Sequence, residues 1–168
     1  MAYSRPMETV EELTARSGVD LDVWGPLATL LERLPAALDQ QLQRDSGLTH
    51  FEFGVLYALE RAPQRELRLS VLAGYSNATL SRLSRGVTRL EDRGWLRREV
   101  DPSDGRYTLA ALTDSGSATV RDALPGHLAL VEHLVFGALT TSQVRTLGEA
   151  CERINARASD SPAWTAGS

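Results

Sequence analysis

Residues 79–106, TLSRLSRGVTRLEDRGWLRREVDPSDGR, carry two patterns of different period. At the helical step of about 100° per residue, one sector of about 80° holds the four arginines Arg82, Arg85, Arg89 and Arg93. A separate sector holds the apolar residues Leu80, Leu83, Val87 and Leu90, which is the periodicity of a stripe that faces a core. The first pattern therefore predicts an amphipathic helix over residues 78–93 with one basic face.

The second pattern, which follows Gly94, has the period of a β-hairpin. Gly94 is placed to end the helix as a C-cap glycine, and residues 95–100 alternate as a strand. Residues 101–105, DPSDG, are a hairpin turn, and residues 106–112 return as the second strand. A basic helix followed by a hairpin with Arg106 at its tip can grip the major groove and the adjacent minor groove of a DNA duplex.

The charge of this region differs from that of the whole chain. Residues 79–98 contain six arginines and two acids, a net charge of +4, whereas the 168-residue chain carries −4. A basic island on an acidic protein indicates a local anionic partner. The alternative is that the arginines only keep one helix face solvated, as charged surface residues commonly do.

Two further elements before the basic helix complete a helix-turn-helix. Thr49 and Glu52 have the spacing of a capping box for a helix over residues 51–60. A short helix over residues 68–73 and a tight turn at residues 74–76 then lead into the basic helix, and this order predicts the helix-turn-helix.

Long amphipathic helices are expected on both sides of this module, because apolar residues recur there at steps of three and four. Prolines interrupt them, so we expect a kink at Pro35 and a break or kink at Pro125–Gly126. The expected helices cover residues 21–44, 114–124 and 127–139, and a last helix starts at Thr140 or Thr141 with Val144, Leu147, Cys151 and Ile154 on one face.

Together these elements predict a mainly α protein with a small β-wing (α+β), in which a winged helix-turn-helix is flanked by N- and C-terminal dimerisation helices. The long helices carry more apolar surface than so small a module can cover, and a second copy in a two-fold dimer would bury it. The expected division is a flexible arm or short helix at 1–20, a dimerisation helix at 21–47, the winged helix-turn-helix at 48–113, dimerisation helices at 114–158 and a disordered tail at 159–168.

Four motifs in this order resemble the MarR-type winged helix-turn-helix regulators. They are LEDRG at residues 90–94, the arginine pair at 97–98, DPSDGR at 101–106 and LTDSG at 112–116. The resemblance extends over residues 21–157 and implies a homodimeric transcriptional regulator that acts as a repressor on double-stranded DNA. It also implies that the helix over 78–93 enters the major groove and that Arg106, held by Asp104, enters the minor groove.

Two departures from the family pattern bear on the DNA contacts. Gly105 stands where many members have arginine, so the wing relies more heavily on Arg106, whose alternative role is that of a surface arginine neutralised by Asp104. The family's Ser-Thr-Val-Thr-Arg is SRLSR at residues 81–85 here. We expect DNA contacts from Ser76, Asn77, Thr79, Ser81, Arg82, Arg85, Arg89, Asp104 and Arg106.

Some of these residues have an equally ordinary structural role. Thr79 is as well placed to be the N-cap of the helix as to contact phosphate. Arg89 and Arg93 lie farther along the helix, where they either reach DNA or pair with Glu91, Asp92 or a partner subunit.

Many members of the family release DNA when a small, aromatic and often anionic compound enters the crevice between the dimerisation helices and the winged module. The residues that could line such a crevice here are Trp24, His50, Phe53, Tyr57 and His127. Each is also a candidate packing residue, because ligand pockets and cores share an apolar lining.

Other functions find little support in the sequence. It contains no glycine-rich phosphate loop, no Gly-x-Ser-x-Gly and no His-x-x-x-His, so we expect no enzyme, metal or cofactor. Cys151, the single cysteine, is expected to be a buried packing thiol rather than a redox sensor.

The N-terminus does not resemble a signal peptide and no run of 18 apolar residues exists, which favours the cytoplasm and no membrane contact. The alternative to a ligand-responsive repressor is a non-sensing module that binds DNA architecturally or binds an acidic protein.

Overall fold

The computed structural model describes residues 9–75 and 78–158. The elements are α1 (Val10–Ser17), α2 (Leu21–Ser46), α3 (His50–Arg61), β1 (Glu66–Arg68), α4 (Leu69–Tyr75), α5 (Leu80–Asp92), β2 (Leu96–Val100), β3 (Thr108–Leu112), α6 (Asp114–Leu134) and α7 (Thr141–Ala158), with 3-10 turns at Pro63–Arg65 and Phe136–Ala138. The chain divides into two compact units, one up to Ala36 and one from Ala37. The predicted class, mainly helical with a small antiparallel sheet, is confirmed.

No single helix in the described part of the chain is long and apolar enough to cross a membrane. Of those helices, only α6 with its following 3-10 turn and α7 together reach that length and composition, and a bend of 107° separates them.

Side-chain caps fix the start of two helices. The predicted capping box at α3 is confirmed, because the Glu52 backbone N–H donates to Thr49 Oγ1 at 3.1 Å and the Thr49 N–H donates to Glu52 Oε2 at 2.9 Å. Thr9 and Glu12 make the same two bonds at the start of α1. Residues 10–17 are therefore a helix, where the sequence left open a loose arm or a short helix.

The core of the unit from Ala37 onward lies between α3, α4, α5, the sheet and the start of α6. The predicted apolar stripe of α5 is confirmed at Leu83, Val87 and Leu90, which are at most 1% exposed. Leu80, expected in the same stripe, is instead 62% exposed. It is the first residue of α5 and lies N-terminal to the positions that pack on the core.

The sheet contains one strand more than the sequence predicted. β2 and β3 form the expected hairpin, and β1 pairs with the other edge of β3, so that Arg68 lies opposite Leu109. β1 includes the first residue of the helix expected over 68–73, and α4 therefore begins at Leu69. A three-residue strand is too short to show an alternating pattern, which is why the sequence did not reveal it.

Both long helices continue through a proline. Pro35 lies inside α2 and Pro125 lies inside α6. Of the break or kink expected at residues 125–126, the break is wrong, because α6 is one helix from Asp114 to Leu134. Packing of α6 outweighs the hydrogen bond that the proline removes. Gly126 lies against α2, where an added Cβ would come within 3.2 Å of Gln41 Nε2, and His127 packs on α3.

α7 contributes nothing to the core, since none of its residues is buried. Cys151 is exposed, so the expectation of a buried packing thiol is wrong. Leu147 and Ile154, predicted on the same helix face, are exposed as well. The predicted apolar residues do lie on one face of α7, but that face is exposed to solvent and does not pack on the core.

Candidate nucleic-acid interface

The start of α5 carries a cluster of small polar groups. Thr79 is its N-cap, and the Arg82 backbone N–H donates to Thr79 Oγ1 at 3.2 Å. The Ser81 hydroxyl lies 3.2 Å from the same oxygen. Thr79 therefore has the capping role, and the N–H groups of the first turn that it does not bind can donate to a partner. The predicted Ser76 and Asn77 lie outside the described residues.

The arginine face of α5 separates into two groups. Arg82 and Arg85, in the N-terminal half, are exposed. The Arg82 guanidinium lies over the Phe51 ring, with Cζ 4.8 Å from the ring centroid. No side chain or backbone group in the described part of the chain pairs with the Arg85 guanidinium. Arg85 therefore offers all its donors to a partner.

The C-terminal arginines of α5 instead bind the protein itself. Arg89 Nε donates to Glu52 Oε1 at 2.7 Å, and Arg93 Nη1 donates to the backbone oxygen of Gly47 at 2.9 Å. The sequence left open whether these arginines reach DNA or pair with Glu91, Asp92 or a partner subunit. The structure shows a different partner for Arg89, an acid that lies on α3 and belongs to the capping box.

Glu52 connects the start of α3 to α5. Its side chain is only 8% exposed. Burial acts to raise the pKa of its carboxyl, but hydrogen bonds from Thr49 and Arg89 outweigh burial and hold the pKa below the ordinary value. Nearby, a Cβ on Gly86 would lie 2.7 Å from Phe51 Cε1, so the two helices approach closely here. These contacts fix the orientation of α5 relative to α3.

Most of the remaining positive charge of the region is internally neutralised. On β2, Arg97 pairs with Glu99 and lies 3.9 Å from Glu66, and Arg98 Nε donates to Glu91 Oε2 at 2.7 Å. The net charge counted along the sequence therefore overstates the charge that a partner would meet. The arginines of this region that no described carboxylate pairs with include Arg82 and Arg85, whereas Arg106 at the tip of the hairpin is exposed but paired with Asp104.

At the hairpin tip, Asp104 holds Arg106 through both carboxylate oxygens. Arg106 Nε donates to Oδ1 at 2.9 Å and Nη2 donates to Oδ2 at 2.7 Å, while the Arg106 backbone N–H donates to Oδ1 at 3.2 Å. The hydrogen bonds from Arg106 lower the pKa of the Asp104 carboxyl. The Arg106 side chain is nevertheless 83% exposed. It is therefore oriented without being covered.

The base of the hairpin is fastened by a residue that sequence reasoning missed. Asp101 is buried, and its carboxylate accepts from Ser103 N at 2.8 Å, Ser103 Oγ at 2.6 Å and Arg68 Nε at 2.7 Å. The Ser103 hydrogen bonds, with a further contribution from Arg68, lower the pKa of Asp101 to about 2. Arg68 and Asp101 are 33 positions apart, so no local pattern relates them.

Four of the five residues predicted to line a ligand crevice come together as an aromatic cluster, consisting of His50, Phe53 and Tyr57 of α3 and His127 of α6. The ring centroids of Phe53 and His127 are 4.8 Å apart, those of His50 and His127 are 5.7 Å apart, and those of Phe53 and Tyr57 are 5.9 Å apart. His127 Nδ1 is buried without a hydrogen-bond partner among the described residues. Trp24 belongs to the N-terminal unit, where it is half exposed.

A cleft of about 390 Å³ lies elsewhere, between the second half of α2 and α6. Gln41, Trp95 and Asp122 are among the residues that line it, and the five predicted crevice residues are not. Over residues 9–75 and 78–158, no three His, Cys, Asp or Glu side chains are grouped so as to hold a metal ion.

The two clustered histidines predict an acid-sensitive fold. Burial lowers the pKa of His50, against an opposing effect of Asp39, and burial together with His50 lowers the pKa of His127. The unfolded chain then binds protons near its ordinary histidine pKa of about 6.5, where the folded chain does not, so the free energy of unfolding falls as the pH drops below about 6.5. We expect a lower Tm at pH 5.5 than at pH 7.5, and a smaller difference in His127→Phe. An equal pH dependence in the variant would show that His127 is not responsible.

Comparisons with known proteins agree with this geometry. A family model described as MarR family matches residues 46–106. The crystal structure of Sco3205, a MarR family transcriptional regulator from Streptomyces coelicolor in complex with DNA, is 39% identical with a TM-score of 0.80, over 94% of this chain and 99% of that one. The HTH-type transcriptional regulator MhqR of Bacillus subtilis is 27% identical over 67% of this chain and 75% of its own length. The transcriptional repressor MprA of Escherichia coli is 25% identical over 70% of this chain and 66% of its own length.

The described geometry and the likeness to Sco3205 over nearly its whole length lead to one assignment. The chain belongs to the MarR family of winged helix-turn-helix transcriptional regulators, which are DNA-binding proteins and not enzymes.

Proposed function

We propose that this protein is a homodimeric repressor that inserts α5 into the major groove of its operator and the β2–β3 wing into the adjacent minor groove. The proposal depends on two exposed arginines: Arg85, with which no described residue pairs, and Arg106, which Asp104 orients. The repressor role is supported by the likeness to MprA, itself named a transcriptional repressor. A regulator that acts on chromosomal DNA works in the cytoplasm, where we place this protein.

In this proposal the residues at the start of α5 divide the work. Thr79, Ser81 and the N–H groups of the first turn contact phosphate oxygens. Ser76 and Asn77 lie outside the described residues and are proposed for the same contacts on residue type alone. Arg85 reads base edges, for which a bidentate contact to guanine is the commonest arginine geometry. Arg82 contributes a contact that is weakened by its stacking on Phe51. Arg89 supports α5 through Glu52 and contributes at most a secondary phosphate contact.

The exposed apolar side chains of the outer helices support the dimer. Within the unit from Ala37 onward, Leu128, Leu134, Phe136, Leu147 and Ile154 are between 38% and 55% exposed. Five large apolar residues exposed on α6, α7 and the 3-10 turn between them are unfavourable in water and suit a two-fold interface. Sedimentation or light scattering should give twice the chain mass of 18.4 kDa; a monomer at micromolar concentration would contradict the dimer.

DNA binding is tested with the duplex that flanks the protein's own gene, by fluorescence anisotropy over a series of salt concentrations. Phosphate contacts release counterions, so the logarithm of the association constant should fall with the logarithm of salt concentration, with a slope of several units. Equal affinity for that duplex and for unrelated DNA would favour the architectural module instead. Absence of binding to either would favour an acidic protein partner.

The wing makes a specific prediction. Arg106→Ala should weaken operator binding by about 1–3 kcal/mol, the scale of one strong contact, without lowering Tm, because the side chain is 83% exposed. Arg106→Lys keeps the charge but loses the two-pronged bond to Asp104, so its affinity should fall between those of the wild type and the alanine variant. An alanine variant that binds as tightly as the wild type at constant salt would remove the wing from the proposal.

We also propose that a small aromatic effector acts at the cluster of His50, Phe53, Tyr57 and His127. The cluster joins α3 of the DNA-binding module to α6, and the buried His127 Nδ1, which has no hydrogen-bond partner among the described residues, offers a polar group to a ligand. A screen of small aromatic acids should find compounds that raise Tm and release labelled operator. His127→Phe should suppress both effects; release that persists in the variant would place the effector elsewhere.

A further inference from the structure

Arg68, the last residue of β1, extends across the sheet to the base of the wing. Its backbone lies opposite Leu109 of β3, yet its side chain reaches beyond β3 to the turn after β2. There Arg68 Nε donates to Asp101 Oδ2 at 2.7 Å, and Nη2 donates to Ser103 Oγ at 3.3 Å. The Arg68 side chain is 37% exposed and that of Asp101 only 6%, so the ion pair is partly sheltered from water.

The same guanidinium also contacts the residue beside the wing-tip arginine. Arg68 Cζ lies 4.4 Å from the centroid of the Tyr107 ring, and Arg106 Cζ lies 6.0 Å from it. The backbone closes the loop around this ring, since Asp101 N donates to Tyr107 O and Tyr107 N donates to Asp104 O, both at 3.0 Å. A continuous set of contacts therefore runs from Arg68 through Tyr107 and Asp101 to the segment that carries Arg106.

This arrangement matters for binding because a hairpin tip that is free to move loses conformational entropy when DNA fixes it in one position. A contact made by a side chain that is already oriented loses less conformational entropy on association. Asp104 orients the Arg106 guanidinium, but both residues lie on the turn itself, so their pair does not fix the turn relative to the sheet. Arg68 supplies that link. It also neutralises Asp101, a carboxylate that would otherwise repel DNA phosphates.

We propose that Arg68 is a positioning residue for DNA recognition, which holds the wing at the angle that aims Arg106 into the minor groove. It acts through Asp101 and Tyr107 and makes no base contact of its own. The proposal rests on the wing function stated above and adds to it a residue outside the recognition helix and the wing.

A double-mutant cycle on operator binding tests it. We would measure operator affinity at one salt concentration for the wild type, Arg68→Ala, Arg106→Ala and the double variant, and Tm for each. Arg68→Ala should weaken binding about three- to thirtyfold when Arg106 is present, within the usual range for coupled neighbours, and by less than twofold when Arg106 is alanine. A residue that served only general stability would show the same loss in both backgrounds.

Arg68→Lys distinguishes the positioning role of Arg68 from the effect of its positive charge. It also keeps the test valid if Arg68→Ala fails to fold. Lysine keeps the positive charge but cannot make the fork to Asp101 and Ser103, so it should lose most of the affinity that alanine loses. Wild-type affinity in Arg68→Lys, or equal losses for Arg68→Ala in both backgrounds, would overturn the positioning role while leaving the wing in place. A normal affinity for Arg106→Ala would instead contradict the wing function itself, so the two failures are distinct.

Discussion

Replacing Gly116 by alanine is expected to destabilise the fold by about 3 kcal/mol, the upper end of the usual cost of overpacking. An added Cβ at this position would lie 2.0 Å from the backbone oxygen of Trp95 and 2.7 Å from Leu112 Cδ1. The Trp95 oxygen cannot move away easily, because it accepts a hydrogen bond from the Thr113 N–H at 3.1 Å. Thr113 in turn caps α6 by accepting from Gly116 N at 3.0 Å, and its hydroxyl donates to Gly94 O at 2.7 Å. The methyl group would therefore force the start of α6 off the sheet.

Thermal unfolding measures this effect directly. For a chain of this length, about 3 kcal/mol corresponds to a fall in Tm of about 6–12 °C. Gly54→Ala in α3 is the matched control, because nothing lies within 4 Å of the added Cβ. A helical alanine at an open position should be neutral or stabilising by up to about 1 kcal/mol. If both variants melt within about 1 °C of the wild type, the close approach at Gly116 is not rigid.

Gly116 also illustrates why much of the fold could be predicted from the sequence. It is the last residue of the LTDSG motif, whose threonine caps α6 by accepting from the Gly116 N–H three positions on. The close approach of Gly116 to Trp95, which precedes β2, spans 21 positions and is not local. The other motifs are as local as the Thr113 cap: the capping box of α3, the buried stripe of α5 and the Asp104–Arg106 pair each involve residues two to four positions apart. Periodicity and short spacings report such contacts well, because neighbouring residues determine them.

The contacts that the sequence did not reveal join distant positions. Glu52 and Arg89 are 37 residues apart, and Arg68 and Asp101 are 33 apart. Neither spacing is one that a helix or a hairpin imposes, so neither ion pair can be predicted from the sequence pattern. The first pair forms because α3 packs on α5, and the second forms because β1 pairs with β3. The continuity of α6 through Pro125 was missed for the same reason, because it depends on contacts between distant residues. Gly126 lies against α2 and His127 against α3, and these contacts outweigh the local effect of the proline.

The division of the arginines on α5 leads to the second large effect. Arg85→Ala should weaken operator binding by about 1–3 kcal/mol, about five- to 150-fold, because its guanidinium is exposed and no described residue pairs with it. Arg89→Ala should cost less operator affinity, since that arginine is already bound to Glu52, and should instead lower Tm by leaving a mostly buried carboxylate without its partner. The two neighbouring arginines are thus expected to differ in which quantity they change.

The decisive comparison uses two DNA duplexes and one control variant. If Arg85 reads a guanine edge, its loss should reduce affinity for the operator more than for unrelated DNA, whereas loss of a phosphate contact would reduce both equally and lower the salt slope by about 1. Arg145→Ala, on the exposed surface of α7, removes the same charge from the far end of the chain and should leave both affinities within about twofold. Equal affinities for Arg85→Ala and the wild type would contradict a DNA contact by Arg85, and Arg82, which stacks on Phe51, would then be the remaining exposed arginine in the N-terminal half of α5.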